Sequence, residues 1–261
     1  MLNRELLLAA GGGDPLNGVI GPAYDYHGFK LQRHISDLAT VITYKAADGA
    51  TKRMAVLDAK FRSVQQFGTY GINVPGLANF NTQGKNGWYI AGDSSIPNMQ
   101  PMPDSVTNDA IFTNWADTLK TDKTAKANCD IWMFYNDKED KLVQSIKGVP
   151  AVAWCRAQTL VGKPCDLGNL YQNIVIFACG DKLDEMDKTA SEYPNLRLGY
   201  TSTTAWPGFG RCQKYNGQRT DRRFSSTEYA TNSERVVGYG GNCGSIFKYN
   251  LGAVVPILEL D

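Results

Sequence analysis

The sequence lacks the residues and motifs on which most catalytic and metal sites depend. It has only two histidines, His27 and His34, and no HExxH, GxSxG, GxxxxGK[ST] or GxGxxG motif. No CxxC pair occurs among the six cysteines, and no DxDxDG loop is present for calcium. We therefore expect no enzyme, no catalytic residue, no metal and no cofactor. Both histidines are interpreted as ordinary surface or turn residues.

Excess charge and long apolar runs are also missing. A net charge of +1 leaves no basic footprint, so we expect no nucleic-acid partner despite the cluster Arg219, Arg222 and Arg223. No run approaches the roughly 18 apolar residues of a transmembrane helix. The five apolar residues at positions 6–10 are too few for a signal peptide, which predicts that the chain is not exported by the general secretion route.

The cysteines leave two interpretations open. Cys155 and Cys165 flank a loop containing glycine and proline, and they could form a disulfide in an oxidising compartment. Buried free thiols in a protein made in reducing cytoplasm are the interpretation we favour.

The order of patterns predicts an α+β protein. Residues 38–45 and 51–58 flank an Ala-Asp-Gly turn and form the clearest predicted hairpin. A helix capped by Asp104 or Ser105 is predicted through positions 111, 115 and 119, with further helices at 151–157 and across 167–188, where Gly180 interrupts the run. The prolines within 95–105 suggest a domain boundary. Pro256 cannot donate a hydrogen bond, so the final strand is predicted at an edge or bonded on one side only.

The last fifty or so residues are unusual for a core and for a linker. Large aromatic, basic and amide side chains are interleaved along a glycine-rich stretch between Trp206 and the apolar end of the chain. Tyrosine supplies contact area at low conformational cost, and asparagine supplies adaptable hydrogen bonds. The pattern favours a binding surface on a rigid scaffold, although individual tyrosines in it could equally be core residues.

Several segments of this half resemble the variable proteins of diversity-generating retroelements from bacteriophages and bacteria. Residues 150–156 (PAVAWCR) and 164–169 (PCDLGN) resemble the family's helix and the start of its next helix, with Gly168 in place of the usual proline. Residues 224–229 (FSSTEY) resemble a W-SS-E-Y segment, with Phe224 in place of tryptophan, and residues 248–260 resemble the invariant end of the variable region. The resemblance covers about residues 125–261.

The resemblance implies a C-type-lectin-like domain related to the formylglycine-generating-enzyme fold. We expect this domain at 106–261, with a variable region at about 206–252, and a β-rich domain for virion attachment or assembly at 1–105. Ser225, Ser226, Glu228 and the final strand would be scaffold, with Glu228 accepting backbone hydrogen bonds. The implied ligand-binding residues are Arg211, Gln213, Tyr215, Arg223, Ala230, Asn232, Ser233, Arg235, Val237, Tyr239, Asn242, Ser245, Ile246 and Phe247.

The implied function is receptor binding or adhesion through a diversified surface, as in a phage-tail protein that recognises its host. The expected partners are a host cell-surface protein or glycan and other virion proteins bound through the N-terminal part, with a possible homo-oligomer. The expected location is the virion, with the bacterial cell surface as the alternative. A structural virion protein without diversification and an oxidase-like enzyme of the same fold remain alternative functions.

Overall fold

The computed structural model describes residues 15–72, 74–77, 80, 85–86, 106–144, 146–199, 214–215, 218–219, 222–230, 233–237 and 242–261. Within them, helices combine with mainly antiparallel sheets, which confirms the α+β class. The predicted boundary at 95–105 lies outside the described residues.

The first part of the chain is built from strands. They are β1 (Val19–Tyr26), β2 (Phe29–His34), β3 (Ala39–Lys45), β4 (Thr51–Leu57), β5 (Ser63–Gln66) and β6 (Lys85–Asn86), with a 3₁₀ turn at Ala59–Phe61 before β5. β3 and β4 pair in register from Ala39 with Leu57 to Lys45 with Thr51, which confirms the predicted hairpin.

Helices and short strands follow. They are α1 (Asn108–Leu119), α2 (Ala125–Met133), α3 (Pro150–Ala157), β7 (Thr159–Leu160), β8 (Lys163–Pro164), β9 (Asp166–Leu167), α4 (Leu170–Ala178) and α5 (Gly180–Met186), with a 3₁₀ turn at Pro194–Leu196. The chain ends in β10 (Lys214–Tyr215), β11 (Gln218–Arg219), β12 (Arg223–Ala230), β13 (Ser233–Val237), β14 (Asn242–Phe247), β15 (Leu251–Val254) and β16 (Pro256–Glu259).

Two six-stranded sheets organise the described residues. The first has the order β1-β2-β3-β4-β16-β9, and the second has the order β5-β15-β12-β13-β14-β6. Each sheet therefore combines strands from before residue 105 with strands from after residue 106. This arrangement does not fit two separately packed domains at 1–105 and 106–261, because the last strand, β16, completes the sheet begun by the first four.

The hydrophobic cores explain why the helices lie where they do. Every residue of α4 is buried, and the main core joins this helix and α1 to the first sheet and to Cys243 and Ala253 of the second. A second core packs α2 and α3 beneath the second sheet, around Trp132, Phe67 and Phe224. Helices α2 and α3 thus pack against the second sheet and support it.

The predicted helices are largely confirmed. Ile111, Trp115 and Leu119 do form the buried face of α1, but the helix begins at Asn108, because the side chain of Thr107 caps it by accepting a hydrogen bond from Ala110 N. The run 167–188 is divided near Gly180 into α4 and α5. Helix α2 was not predicted, since its short apolar pattern is interrupted by polar residues.

Two other expectations are corrected. Pro256 is not in an edge strand: β16 lies between β4 and β9, and the proline is tolerated because it is the strand's first residue and pairs only with Leu167 of β9. His34 is not a surface residue but is buried, with its ring nitrogens 2.7 Å from Ser36 Oγ and 3.0 Å from Leu16 O. Burial lowers the pKa of His34.

Five of the six cysteines are described, and all five are buried free thiols, as the favoured interpretation predicted. Cys212 lies outside the described residues. Burial raises the pKa of the Cys129 and Cys155 thiols, which suits a structural role, because the neutral thiol is the less reactive form. No helix among the described residues has the length and apolar character needed to cross a bilayer.

Candidate functional site

The segment 225–228 of β12 is the best-anchored part of the candidate site. All four of its residues are buried. Thr227 Oγ1 accepts a hydrogen bond from Leu170 N at 2.8 Å and donates to Asp122 Oδ2 at 2.6 Å. These two bonds tie β12 to the start of α4 and to the loop after α1. Position 227 is therefore part of the framework.

Ser226 makes a second set of ties. Its backbone N–H donates to Gly168 O at 2.8 Å, and its carbonyl accepts a hydrogen bond from Trp132 Nε1 at 2.9 Å. The first of these bonds joins β12 to the turn before α4, and the second joins it to α2. Burial of the two serines and their neighbours agrees with the scaffold role that the resemblance implies for this segment.

A buried ion pair joins β12 to the end of β14. Lys248 Nζ lies 2.6 Å from Glu228 Oε1, and both side chains are buried. The ammonium group also lies 4.8 Å from the centre of the Trp132 ring, close enough for a cation–π contact. Burial raises the pKa of Glu228, and the charge of Lys248 partly opposes that shift. Among the described residues, the Glu228 carboxylate accepts a hydrogen bond from the Lys248 side chain. The resemblance implied a backbone donor instead.

Side-chain direction alternates where β14 ends. Ile246 and Lys248 are buried against the second core, whereas Phe247 between them is 46% exposed. Ser245, two residues earlier on the same face as Phe247, is half-buried. Ser233 pairs with Phe247 across β13 and β14 and is also half-buried. The alternation presents an aromatic ring to solvent on an anchored strand.

Phe247 belongs to a cluster of three aromatic side chains, here called the aromatic corner: Tyr70, Phe247 and Tyr249. The rings of Phe247 and Tyr249 are stacked, with centroids 5.3 Å apart and planes 16° apart. Tyr70 meets both rings edge to face, at 6.1 Å from Phe247 and 5.0 Å from Tyr249. Such offset and perpendicular arrangements are the favourable geometries for aromatic pairs, so the corner is an ordered surface.

The predicted ligand-binding residues fall into five groups. Phe247 is exposed, and Ala230, Ser233 and Ser245 are half-buried. Arg223 and Ile246 are buried, which does not fit positions that face a ligand. Only the backbone is described for Tyr215, Arg235, Val237 and Asn242. The other predicted positions lie outside the described residues, namely Arg211, Gln213, Asn232 and Tyr239.

The burial of Arg223 has a clear physical cause. Its guanidinium group lies 4.5 Å from the centre of the Phe177 ring in α4, and it donates a hydrogen bond to Leu198 O. Arginine is well suited to such stacking on an aromatic ring. In the sequence Arg223 stands among other basic residues, and its burial follows from the packing of β12 on α4, which no local sequence pattern shows.

Two residues of the site were missed from the sequence. Tyr70 lies far from the tail in the chain, and the pairing of β5 with β15 brings its neighbourhood to the aromatic corner. Lys248 was included only in the invariant end, without a role. Lys248 follows Phe247 and precedes Tyr249 and Asn250, and nothing in this local sequence signals that it is buried.

Among the described residues, no group of three or more His, Cys, Asp or Glu side chains is arranged to hold a metal ion. No family model matches this sequence, and searches of curated proteins and of solved structures return no match.

Proposed function

We propose that the chain is a receptor-binding or adhesion protein that displays a diversified surface on a C-type-lectin-like scaffold. In this proposal it acts as a host-recognition protein of a phage tail, related to the variable proteins of diversity-generating retroelements. The single observation that carries the proposal is the contrast along residues 245–248. An exposed aromatic ring there stands between two fully anchored neighbours, Ile246 and Lys248.

The anchoring supports a surface whose outer residues can change. Glu228 and Lys248 join β12 to β14 from inside, and Thr227 joins β12 to α4. None of these contacts involves Ser245 or the exposed part of Phe247. A framework of this kind lets outward side chains vary without loss of the fold, which is what a diversified binding surface requires.

Binding to intact bacteria tests the recognition part of the proposal. The fluorescently labelled full chain is incubated with a panel of bacterial strains, and bound fluorescence is measured. We expect saturable binding to some strains that Phe247→Ala weakens by about tenfold or more, as for truncation of an aromatic hot spot. Tyr193→Ala, which removes an exposed tyrosine beside the far end of β5, serves as the matched control and should bind as the unchanged chain does.

Failure to bind any strain, or equal binding by both variants, would contradict the recognition proposal. The diversification part is tested on the neighbouring DNA. A reverse transcriptase gene and a near-repeat of the coding sequence for about residues 206–252, differing at adenines, are expected. If both are absent, the diversification part of the proposal is wrong, and a virion protein whose residues 206–252 do not vary becomes the better proposal.

A further inference from the structure

The aromatic corner is extended by a loop outside the tail. A Cβ atom at Gly71 would lie 3.6 Å from Leu142 Cγ and 3.4 Å from Lys141 Cβ, so these two side chains lie against Gly71, the residue that follows Tyr70. The backbone N–H of Lys141 also donates a hydrogen bond to Tyr70 O at 3.2 Å. Leu142 is 68% exposed. A segment distant from the tail thus adds an exposed apolar side chain next to the residue that follows Tyr70 of the aromatic corner, and neighbouring exposed apolar side chains are typical of interaction sites.

The backbone beneath this surface is fixed. Lys248 O accepts hydrogen bonds from Phe67 N and Gly68 N at 3.0 Å and 2.9 Å. Gln66 Nε2 donates to Tyr249 O at 2.9 Å, and the buried Asp140 carboxylate accepts a hydrogen bond from Tyr70 N. A surface ordered before binding loses little conformational entropy when a partner docks on it.

The charges around the corner are asymmetric. Lys248 is neutralised by Glu228, and the negative charge of Asp140 is turned inward onto a backbone N–H. Lys138 pairs with Asp137 at 3.6 Å, and the exposed Glu139 stands opposite Lys147 in an isolated β-bridge. Lys141 has no carboxylate within salt-bridge distance in the described part of the chain. The charge left without an opposite partner next to the aromatic corner is therefore the positive charge of Lys141, which favours a partner with a carboxylate at the rim.

We infer that the aromatic corner, together with Lys141 and Leu142, is a fixed docking surface for a protein partner that presents an apolar side chain flanked by acidic residues. This inference rests on the proposed recognition function and names the class of its ligand. It also assigns part of the binding to residues 70, 141, 142 and 249, which lie outside the predicted ligand-binding residues.

The composition of the surface favours a protein over a glycan. A sugar carries many hydroxyl groups, and each one buried on docking needs a hydrogen-bond partner. The side chains of Leu142 and Phe247 offer no polar atoms, so the hydrogen-bonding groups of this surface are one hydroxyl on each tyrosine and the ammonium group of Lys141. The surface matches the usual interface pattern of aromatic and aliphatic anchors with charge at the rim.

Two short synthetic peptides provide the test. Both contain a Trp-Leu pair, flanked by Asp and Glu in one and by Lys in the other, and methyl glucopyranoside is the glycan probe. Binding to the full chain is measured by fluorescence anisotropy for the peptides and by NMR titration for the sugar. We expect the acidic peptide to bind about tenfold or more tightly than the basic one, with the preference weakening as salt screens the charges.

Lys141→Glu should reverse the preference between the peptides, and Phe247→Ala should weaken both. Lys163→Glu, the same charge reversal at an exposed position of β8, is the matched control. It should change neither the preference between the peptides nor the affinity for either of them. Equal binding of the two peptides, binding of the sugar alone, or no binding of any probe would overturn the inference. If the chain labels bacteria and Phe247→Ala abolishes that labelling, while Lys141→Glu and Tyr70→Ala leave it intact, the recognition proposal stands and this inference falls.

Discussion

Lys248 is the residue whose environment is most demanding. Moving a charged ammonium group out of water costs several kcal/mol unless a partner compensates it. Glu228 supplies the opposite charge, and the Trp132 ring supplies a further favourable contact. Removing one partner would leave the other charge buried without compensation.

We therefore expect Lys248→Met to lower the free energy of unfolding by about 3–5 kcal/mol, the usual cost of breaking a buried pair. Lys126→Met is the matched control, because Lys126 and Asp130 form an equally short pair of 2.6 Å that is exposed to solvent. It should cost less than about 1 kcal/mol. Urea unfolding of the three proteins measures both values, and equal losses in the two variants would contradict the role assigned to burial.

The free energy of unfolding of the Lys248→Met variant should depend on pH in a defined direction. Burial raises the pKa of Glu228 in the folded protein, and loss of Lys248 removes the charge that opposes this rise. The folded variant then gains a proton more readily than the unfolded chain as the pH falls. Its deficit relative to the unchanged protein should therefore shrink between about pH 8 and about pH 5. A deficit that grows over this interval would contradict the assignment.

At the scale of elements, the start of α4 connects the helices to β12. Asn169 accepts a hydrogen bond from Gln172 N at 3.0 Å, and Gln172 Oε1 accepts one from Asn169 N at 2.8 Å, which completes a capping box. The next residue, Leu170, donates its N–H to Thr227 Oγ1. One turn of chain thus caps a buried helix and fixes the segment that anchors the candidate site.

Asn169→Ala is expected to lower stability by about 1 kcal/mol, because the helix loses its N-cap acceptor. Asn169→Asp retains an acceptor at the same place and should cost less, although it gives up the side-chain hydrogen bond to Lys123 O. Thermal unfolding compared at one pH near neutrality distinguishes them. Similar losses in the two variants would show that the cap acceptor is not what stabilises this turn.

Some of the helices and strands could be predicted from the sequence and others could not. The β3–β4 hairpin and the buried face of α1 follow from local patterns of period two and 3.6, so they were predictable. Helix α2 was missed because Asn128, Cys129 and Trp132 are buried by contacts with β12 and its neighbours, which no local window contains. The position of β16 between two other strands was missed, because in the sequence a proline at the first residue of an interior strand looks the same as a proline in an edge strand.

The candidate site was only partly predictable for the same reason. Phe247 is exposed and the segment 225–228 is buried, which agrees with the binding and scaffold positions that the resemblance implies, and ligand binding by Phe247 stays a prediction. Arg223 was placed among the ligand-binding residues by its position in the resemblance, whereas in the structure it is buried and contacts Phe177 and Leu198. Tyr70 joins the aromatic corner through strand pairing across some 180 residues of chain, and a single sequence holds no trace of that pairing.

At the scale of the whole molecule, both sheets depend on both halves of the chain. Four strands of the first sheet come from residues 19–57, and two strands of the same sheet come from 166–167 and 256–259. In the second sheet, β5 flanks β15 along four residue pairs. Burial of the main core therefore requires the N-terminal strands and the C-terminal strand at the same time.

We expect a fragment of residues 106–261 not to fold cooperatively, because it lacks β1–β6 and leaves the apolar faces of α1 and α4 uncovered. The full chain should unfold in a single calorimetric transition, which serves as the reference. Circular dichroism measures the folded content of the fragment and of the full chain, and scanning calorimetry measures how cooperatively each unfolds. A sharp transition in the fragment would show that the C-terminal part is an independent domain.

The junction between β15 and β16 consists of the single residue Val255, and on either side of it the chain belongs to a different sheet. Side chains in a strand alternate between faces, so an odd insertion there would turn every following side chain to the opposite face. The strand Pro256–Glu259 packs with its neighbours on both sides and has no room for such a reversal. Substitutions just upstream of this junction therefore leave the final strand in place, whereas an insertion or deletion of a single residue within the junction would not.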